Sequence, residues 1–189
     1  MSESGVTMGL LRPIKDKELE LMLSWRNEPD VRNNMYTTHE ISLTEHREWW
    51  KRMNDSSTSC YFIYESQGKP LGIVGFTDID EANQNSSWAF YASSKAPKGT
   101  GSRMEFLALN YAFYELNVHK LCCEVLAFNT PVIKLHEKFG FKVEGILREQ
   151  YQRKGKFIDV YRLGMLSNEW KAARGKMEET LNRFAQGRK

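Results

Sequence analysis

Two groups of residues in this chain have the types and spacing to do chemistry. The first is Pro97-Lys98-Gly99-Thr100-Gly101-Ser102-Arg103, which opens an apolar helical run. A glycine-rich turn leading into a helix presents unpaired N–H groups and the positive end of the helix dipole, a ready site for an anion. Gly99 and Gly101 let main chain approach a phosphate closely. The N–H groups of Gly99, Thr100, Gly101, Ser102 and Arg103 are the candidate donors, and Lys98 and Arg103 add charge. The turn fits a plain loop as well, and it has neither the Rossmann nor the Walker spacing. The second group runs Leu121-Cys122-Cys123-Glu124-Val125-Leu126-Ala127-Phe128-Asn129, then Leu135-His136-Glu137-Lys138-Phe139-Gly140-Phe141. An imidazole at His136 either passes a proton near neutral pH or only caps its helix. Glu124 either pairs with a neighbouring charge or orders a water as base. Arg26 ends an apolar stripe of Leu19, Met22 and Leu23. A guanidinium there either snorkels to water or faces a polar cavity. His39 and His119 read as loop or strand-edge residues, and Tyr151 and Tyr161 as packing.

The elements that must position these groups are legible in the pattern. Leu10 to Ile14 reads as a strand, and a helix follows from Asp16. Ser42-Leu43-Thr44-Glu45 is a capping box that starts a second helix carrying His46, Trp49, Trp50 and Met53. Cys60 to Tyr64 and Leu71 to Ile79 flank Gln67-Gly68-Lys69-Pro70 as a hairpin. A strand over Ser87 to Ala92 leads into the glycine-rich turn. The helix after Gly101 is apolar nearly all round, which marks it as central. Lys120 to Phe128 reads as a strand. Thr130 and Pro131 start a helix as cap and first residue, and Gly140 ends it. Phe141 to Glu149 and Phe157 to Leu166 form a last hairpin. A charged tail over 169–189 carries Trp170, Ala173, Met177, Leu181 and Phe184 at helical spacing and rests on its own domain or on a partner chain. The order is α+β, with one mixed sheet.

Bulk properties narrow the classes. A chain of 189 residues suits one domain with a real core. The expected division is a loose tail over 1–9, one domain over 10–168 and the helical tail. A net charge of +3 does not argue for a nucleic-acid platform. No apolar run approaches the ~18 residues of a membrane span, and Met1 to Gly9 lacks the core of a secretory signal. Cys60, Cys122 and Cys123 have no metal-ligand spacing, and adjacent Cys122 and Cys123 point to opposite faces of a strand. They read as thiols in a reducing, cytoplasmic setting, with no metal.

In this order and spacing, the two motifs resemble the acetyl-CoA site of the GNAT superfamily of N-acetyltransferases. Glu124, Val125, Asn129, Leu135, Glu137, Lys138, Gly140 and Phe141 match a run carried by its ribosomal-protein acetyltransferases. The resemblance implies a mixed central sheet splayed in the middle and flanked by helices. It implies coenzyme A pyrophosphate on Lys98 to Arg103, and Phe90, Tyr91 and Ala92 along the pantetheine and thioester. Asn129, Lys134 and His136 are the further cofactor contacts it implies. Two positions depart: Ala96 stands where the family has Arg or Gln, and His136 where it has Tyr. That Tyr protonates the departing thiolate, so His136 is the expected acid and Glu124 the expected base.

Arg26-Asn27-Glu28-Pro29, Met35-Tyr36, Ile41-Ser42-Leu43, His46, Gly75-Phe76-Thr77, Tyr91, Glu144-Gly145 and Phe157-Ile158-Asp159-Val160 resemble PseH-type nucleotide-sugar N-acetyltransferases. These acetylate the 4-amino group of a UDP-linked 4-amino-4,6-dideoxy sugar on the route to pseudaminic acid and flagellin glycosylation. The resemblance implies acceptor contacts at Arg26, His46, Thr77 and Tyr91, with Asp78 where the family has Lys. The expected activity is direct acetyl transfer to such a UDP-amino sugar, by a chain that works alone or as a homodimer. A ribosomal-protein or polyamine N-acetyltransferase, or a silent coenzyme A-binding module, are the other readings.

Overall fold

A computed structural model describes residues 8–186. One seven-stranded sheet runs through it in the order β1-β2-β3-β4-β5-β7-β6. The strands are β1 Leu10–Pro13, β2 Cys60–Ser66, β3 Lys69–Asp80, β4 Asn85–Ala92, β5 Lys120–Leu126, β6 Lys142–Arg153 and β7 Lys156–Leu166. The helices are α1 Leu19–Asn27, α2 Pro29–Arg32, α3 Leu43–Asn54, α4 Thr100–Asn110, α5 Thr130–Phe139 and α6 Ser167–Gln186. All strand pairs are antiparallel except β4 with β5.

That one parallel pair organises the molecule. It holds only from Asn85–Lys120 to Ser87–Cys122, after which the two strands part. The rest of β4 keeps β3 as its partner, and the rest of β5 keeps β7. Along β4 every second residue turns its N–H and C=O away from β3. Past Ser87 those groups meet no strand, so the sheet carries an internal edge.

Each sheet face buries a different cluster. On one face, α4, α5 and α6 cover Val74, Phe76, Trp88, Leu121, Leu163 and their neighbours. α4 is buried on most of its surface, as a helix apolar nearly all round must be. On the other face, Leu19, Met22 and Trp25 of α1 pack on Ile63 and Ile73, with Trp49 and Tyr61 beside them. The period of two along β4 then decides function: Phe90 faces the α4–α5 side and Tyr91 the α1–α3 side.

Local details follow from the sequence, with differences. Ser42 caps α3, its hydroxyl accepting from the Glu45 N–H at 3.2 Å. The reciprocal half of the box is missing, because the Glu45 carboxylate is taken by His39 at 3.0 Å. α5 starts one residue early, with Asn129 as cap and Thr130 as its first residue. α2 and the single π-turn at Tyr111–Glu115 had no signal in the hydrophobic pattern. α6 docks on its own chain: Trp170 is fully buried, and its indole N–H donates to Asn110 Oδ1 at 3.2 Å. Of the tail expected over 1–9, residues 1–7 lie outside the described residues, while the Met8 carbonyl accepts from the Tyr64 hydroxyl at 3.0 Å. Among the described residues no helix is long and apolar enough to cross a membrane.

Candidate active site

Three cavities bear on the parted strands and the turn that follows β4. The first, about 520 Å3, lies at the glycine-rich turn, with Lys69, Lys98, Gly99, Ser102, Arg103 and Lys138 on its wall. Gly99 is the cap of α4 at φ +84°, a left-handed conformation that glycine adopts without strain. The turn spends part of its donor set on itself. Thr100 N–H donates to the Pro97 carbonyl and Arg103 N–H to the Gly99 carbonyl. The Arg103 guanidinium donates to the Tyr64 hydroxyl at 3.1 Å and to Thr100 Oγ1 at 3.3 Å. The main-chain N–H groups of Thr100 and Arg103 are thus engaged within the turn. The N–H groups of Gly99, Gly101 and Ser102 have no main-chain acceptor among the described residues. Open amides, four cations and no lining carboxylate fit a polyphosphate.

The second cavity, about 300 Å3, is the cleft between β4 and β5. Phe90, Tyr91, Ala92, Glu124, Asn129 and His136 all line it. His136 and Glu124 approach it from opposite faces of the sheet. The His136 ring is only 3% exposed and sits among Trp88, Phe90 and Phe141 with centroids at 5.4, 6.0 and 5.3 Å. Its Nδ1 is 2.8 Å from Glu105 Oε1. Glu105 is fully buried, and burial pushes its carboxyl pKa up while the His136 hydrogen bond opposes that. Sequence reasoning missed Glu105. The available signal was a lone carboxylate in a helix otherwise apolar on nearly every side.

Glu124 is more open, and the Tyr36 hydroxyl donates to its Oε2 at 2.9 Å. Burial and this carboxylate hold the Tyr36 phenol well above the usual range. Arg162 stands 3.7 Å away. Both readings of Glu124 thus have a basis here, a charge partner and a place in the cleft. Lys134 is exposed and lines none of the three cavities, whereas Lys138, one turn later, faces the glycine-rich turn.

The third cavity, about 250 Å3, lies on the α1–α3 face and shares Tyr91 with the cleft. Arg26 from α1 and His46 from α3 both line it. Arg26 faces a cavity rather than snorkelling: Nη2 donates to the Thr37 carbonyl at 3.3 Å, and Nη1 is buried without a partner. His46 Nε2 is likewise buried and unpartnered. Burial lowers the pKa of both groups, and the Arg26 charge pushes His46 down further. Gly75 makes room beneath, since a Cβ there would sit 2.2 Å from the Tyr61 ring that lines this cavity. Thr77 shares the sheet face but not the cavity, and its hydroxyl lies 3.3 Å from Asp78. Asp78 sits at φ +51° beside the bulge that separates Thr77 from Asp80.

A family profile described as an acetyltransferase (GNAT) domain matches residues 10–142. The N-acetyltransferase YokL of Bacillus subtilis is 30% identical over 169 residues, which is 87% of this chain and 93% of that protein. The acetyltransferase PseH of Campylobacter jejuni is 28% identical over 130 residues, 69% of this chain and 80% of that one. In fold, the chain is similar to the spermidine N-acetyltransferase of Vibrio cholerae in its complex with CoA and spermine. The TM-score is 0.80 at 24% identity, covering 89% of this chain and 99% of that one. A sheet parted between β4 and β5, an anion-ready turn at the start of α4 and this match together place the chain in the GNAT acetyltransferase family, as an N-acetyltransferase that uses acetyl-CoA.

Proposed function

We propose that this enzyme acetylates the 4-amino group of a UDP-linked 4-amino-4,6-dideoxy-N-acetyl sugar by direct transfer. The observation that carries the reading is the pair of unpartnered buried nitrogens, Arg26 Nη1 and His46 Nε2, in one cavity beside the cleft. A buried polar atom without a partner costs about 1–3 kcal/mol, more when charged, so it needs a ligand to satisfy it. A diphosphate answers both groups with charge-assisted hydrogen bonds. Arg52 adds a second cation to the wall beside Arg26, and the one carboxylate there, Glu45, is already engaged by His39. A polyamine would bring positive charge against the Arg26 and Arg52 guanidinium groups and leave Arg26 Nη1 unpaired.

The chain's residues then divide the work. Gly101 and Ser102 amides, with Lys98 and Lys138, hold the pyrophosphate of acetyl-CoA. β4 main chain at Phe90 to Ala92 receives the pantetheine and supplies an N–H to the thioester oxygen as charge develops there. Arg26, His46 and Tyr91 hold the sugar nucleotide on the opposite face. The amine enters the cleft from the side of Glu124 and meets the thioester carbon, while His136 faces the sulfur from the other side. Holding both reactants together in this geometry is a large share of the rate gain.

One observation favours a second reading, a polyamine acceptor. Asp30 and Glu124 both line the cleft, and a cationic chain would find carboxylates there. Calorimetry with UDP separates the two. The sugar-nucleotide reading expects heat on titrating UDP into the wild type and about tenfold or greater weakening in R26Q. No UDP binding, with spermidine binding in its place, would overturn it.

A further inference from the structure

We infer that Glu105 is the positioning residue that turns His136 into a two-way proton carrier for acetyl transfer. The inference rests on His136 acting in the cleft, and it adds a residue and a proton path to that reading. Glu105 is an expensive residue where it stands. A fully buried carboxylate costs several kcal/mol unless it is paired, and an apolar side chain of similar size would pack α4 at no such cost. Its one hydrogen bond goes to His136, and its second oxygen, Oε2, has no partner. His136 in turn packs among Trp88, Phe90 and Phe141 and lines the cleft, and with Nδ1 on Glu105 its Nε2 is the working atom. The other titratable groups facing the cleft are Cys123 and Glu124 of β5, Tyr91 of β4, Asp30 of α2 and Tyr36. Burial, with the Glu105 charge added, holds the Cys123 thiol far above its usual range, so it stays neutral. Glu124 lies across the cleft.

The proton count of the pair then decides what the cleft meets. With Glu105 ionised and His136 neutral, the carboxylate can only accept, so Nδ1 carries the hydrogen and Nε2 presents a lone pair. With one more proton on the pair, Nε2 carries a hydrogen. This holds whether the added charge is written as imidazolium beside carboxylate or as neutral ring beside carboxylic acid. The same atom therefore serves both halves of the reaction. The amine nitrogen forms its bond to the thioester carbon, and its surplus proton passes to Nε2. The carbon–sulfur bond breaks with its electrons on sulfur, and the proton passes from Nε2 to the thiolate. An amide and a thiol result, and the pair returns to its starting state. A tyrosine in this position holds a proton without a second ring nitrogen to orient, so a buried carboxylate partner has a purpose here only because the residue is histidine.

Two measurements test this. Long-range 1H–15N NMR of wild-type enzyme labelled in histidine reads the tautomer without any activity. Followed from low to high pH, the His136 signal should lose the hydrogen on Nε2 and end with hydrogen on Nδ1 and a bare Nε2; a ring that keeps hydrogen on Nε2 at the alkaline end of the titration overturns the proposal. The second is a double-mutant cycle. E105Q keeps volume and loses charge, and should lower kcat about 10²-fold while KM for acetyl-CoA moves less than about twofold. In an H136Q background the same substitution should cost nothing further. Undiminished kcat in E105Q, or an equal loss in both backgrounds, overturns the proposal. An enzyme that releases no coenzyme A with any amine would instead defeat the transfer reading, and the NMR result would still decide the pair.

Discussion

On the α4–α5 face of β4, the proposed donor site offers main chain: open amides at the start of α4, and the unpaired edge of β4 itself. On the α1–α3 face, the proposed acceptor site offers side chains, Arg26 and His46 from two helices, whose Nη1 and Nε2 have no partner beside the cavity they line. The donor side is made from backbone that almost any compatible sequence can supply, so it suits a cosubstrate shared across a family. The proposed acceptor side is made from particular charges, so it is where this reading puts specificity. His136 and Tyr91 stand where the two sides meet in the cleft.

Substitutions should separate the sides. The largest effect is expected at the junction. H136Q, whose amide still donates to Glu105, should lower kcat about 10²–10³-fold with acetyl-CoA affinity nearly unchanged, by steady-state and binding measurements. Next comes the acceptor side. R26A should raise acceptor KM about 10- to 100-fold, since a charge-assisted contact is worth about 1.5–3 kcal/mol, and leave KM for acetyl-CoA in place. A shift in both constants would mean that the two sides are not independent.

A pH effect should follow from His46. Burial and Arg26 depress its pKa in the free enzyme, and a bound diphosphate would raise it again. The bound state then holds more protons than the free state, so UDP should bind more tightly as pH falls from about 7.5 to 6. H46Q should flatten that slope, and a wild-type slope of opposite sign would remove His46 from the anion site. The same shift carries a stability consequence. The contribution of the neutral ring is fully present above the unfolded value near 6.5 and is lost as pH falls through the lower folded value. The smallest effect belongs to the donor turn. G99A puts a Cβ at φ +84°, costing about 1–2 kcal/mol of stability by thermal unfolding, and should weaken acetyl-CoA without touching UDP.

The two sides also differed in how far they could be read from the chain. The donor turn is contiguous, and its glycines announce a backbone that other residues resist. The alternation along β4 and the nearly all-apolar α4 located the sheet and its buried helix. What escaped was long-range. Glu105 and His136 are 31 residues apart, and no local pattern links them. Tyr36 reaches Glu124 across 88 residues, through a segment whose short α2 has no periodic signal. Lys134 and Lys138 are one turn apart, so spacing alone could not tell which faces the phosphate cavity. Arg26 was ambiguous for a similar reason: the stripe it ends is the same whether the guanidinium meets water or a cavity.

Acetyl transfer to paired acceptors tests the central claim most directly. Wild-type enzyme with acetyl-CoA should turn over a UDP-linked 4-amino-4,6-dideoxy-N-acetyl sugar with kcat/KM at least about 10²-fold above that for spermidine, the margin expected when buried charges are left unpaired by the wrong substrate. Equal or better turnover of spermidine would contradict the assignment of Arg26 and His46 to an acceptor diphosphate.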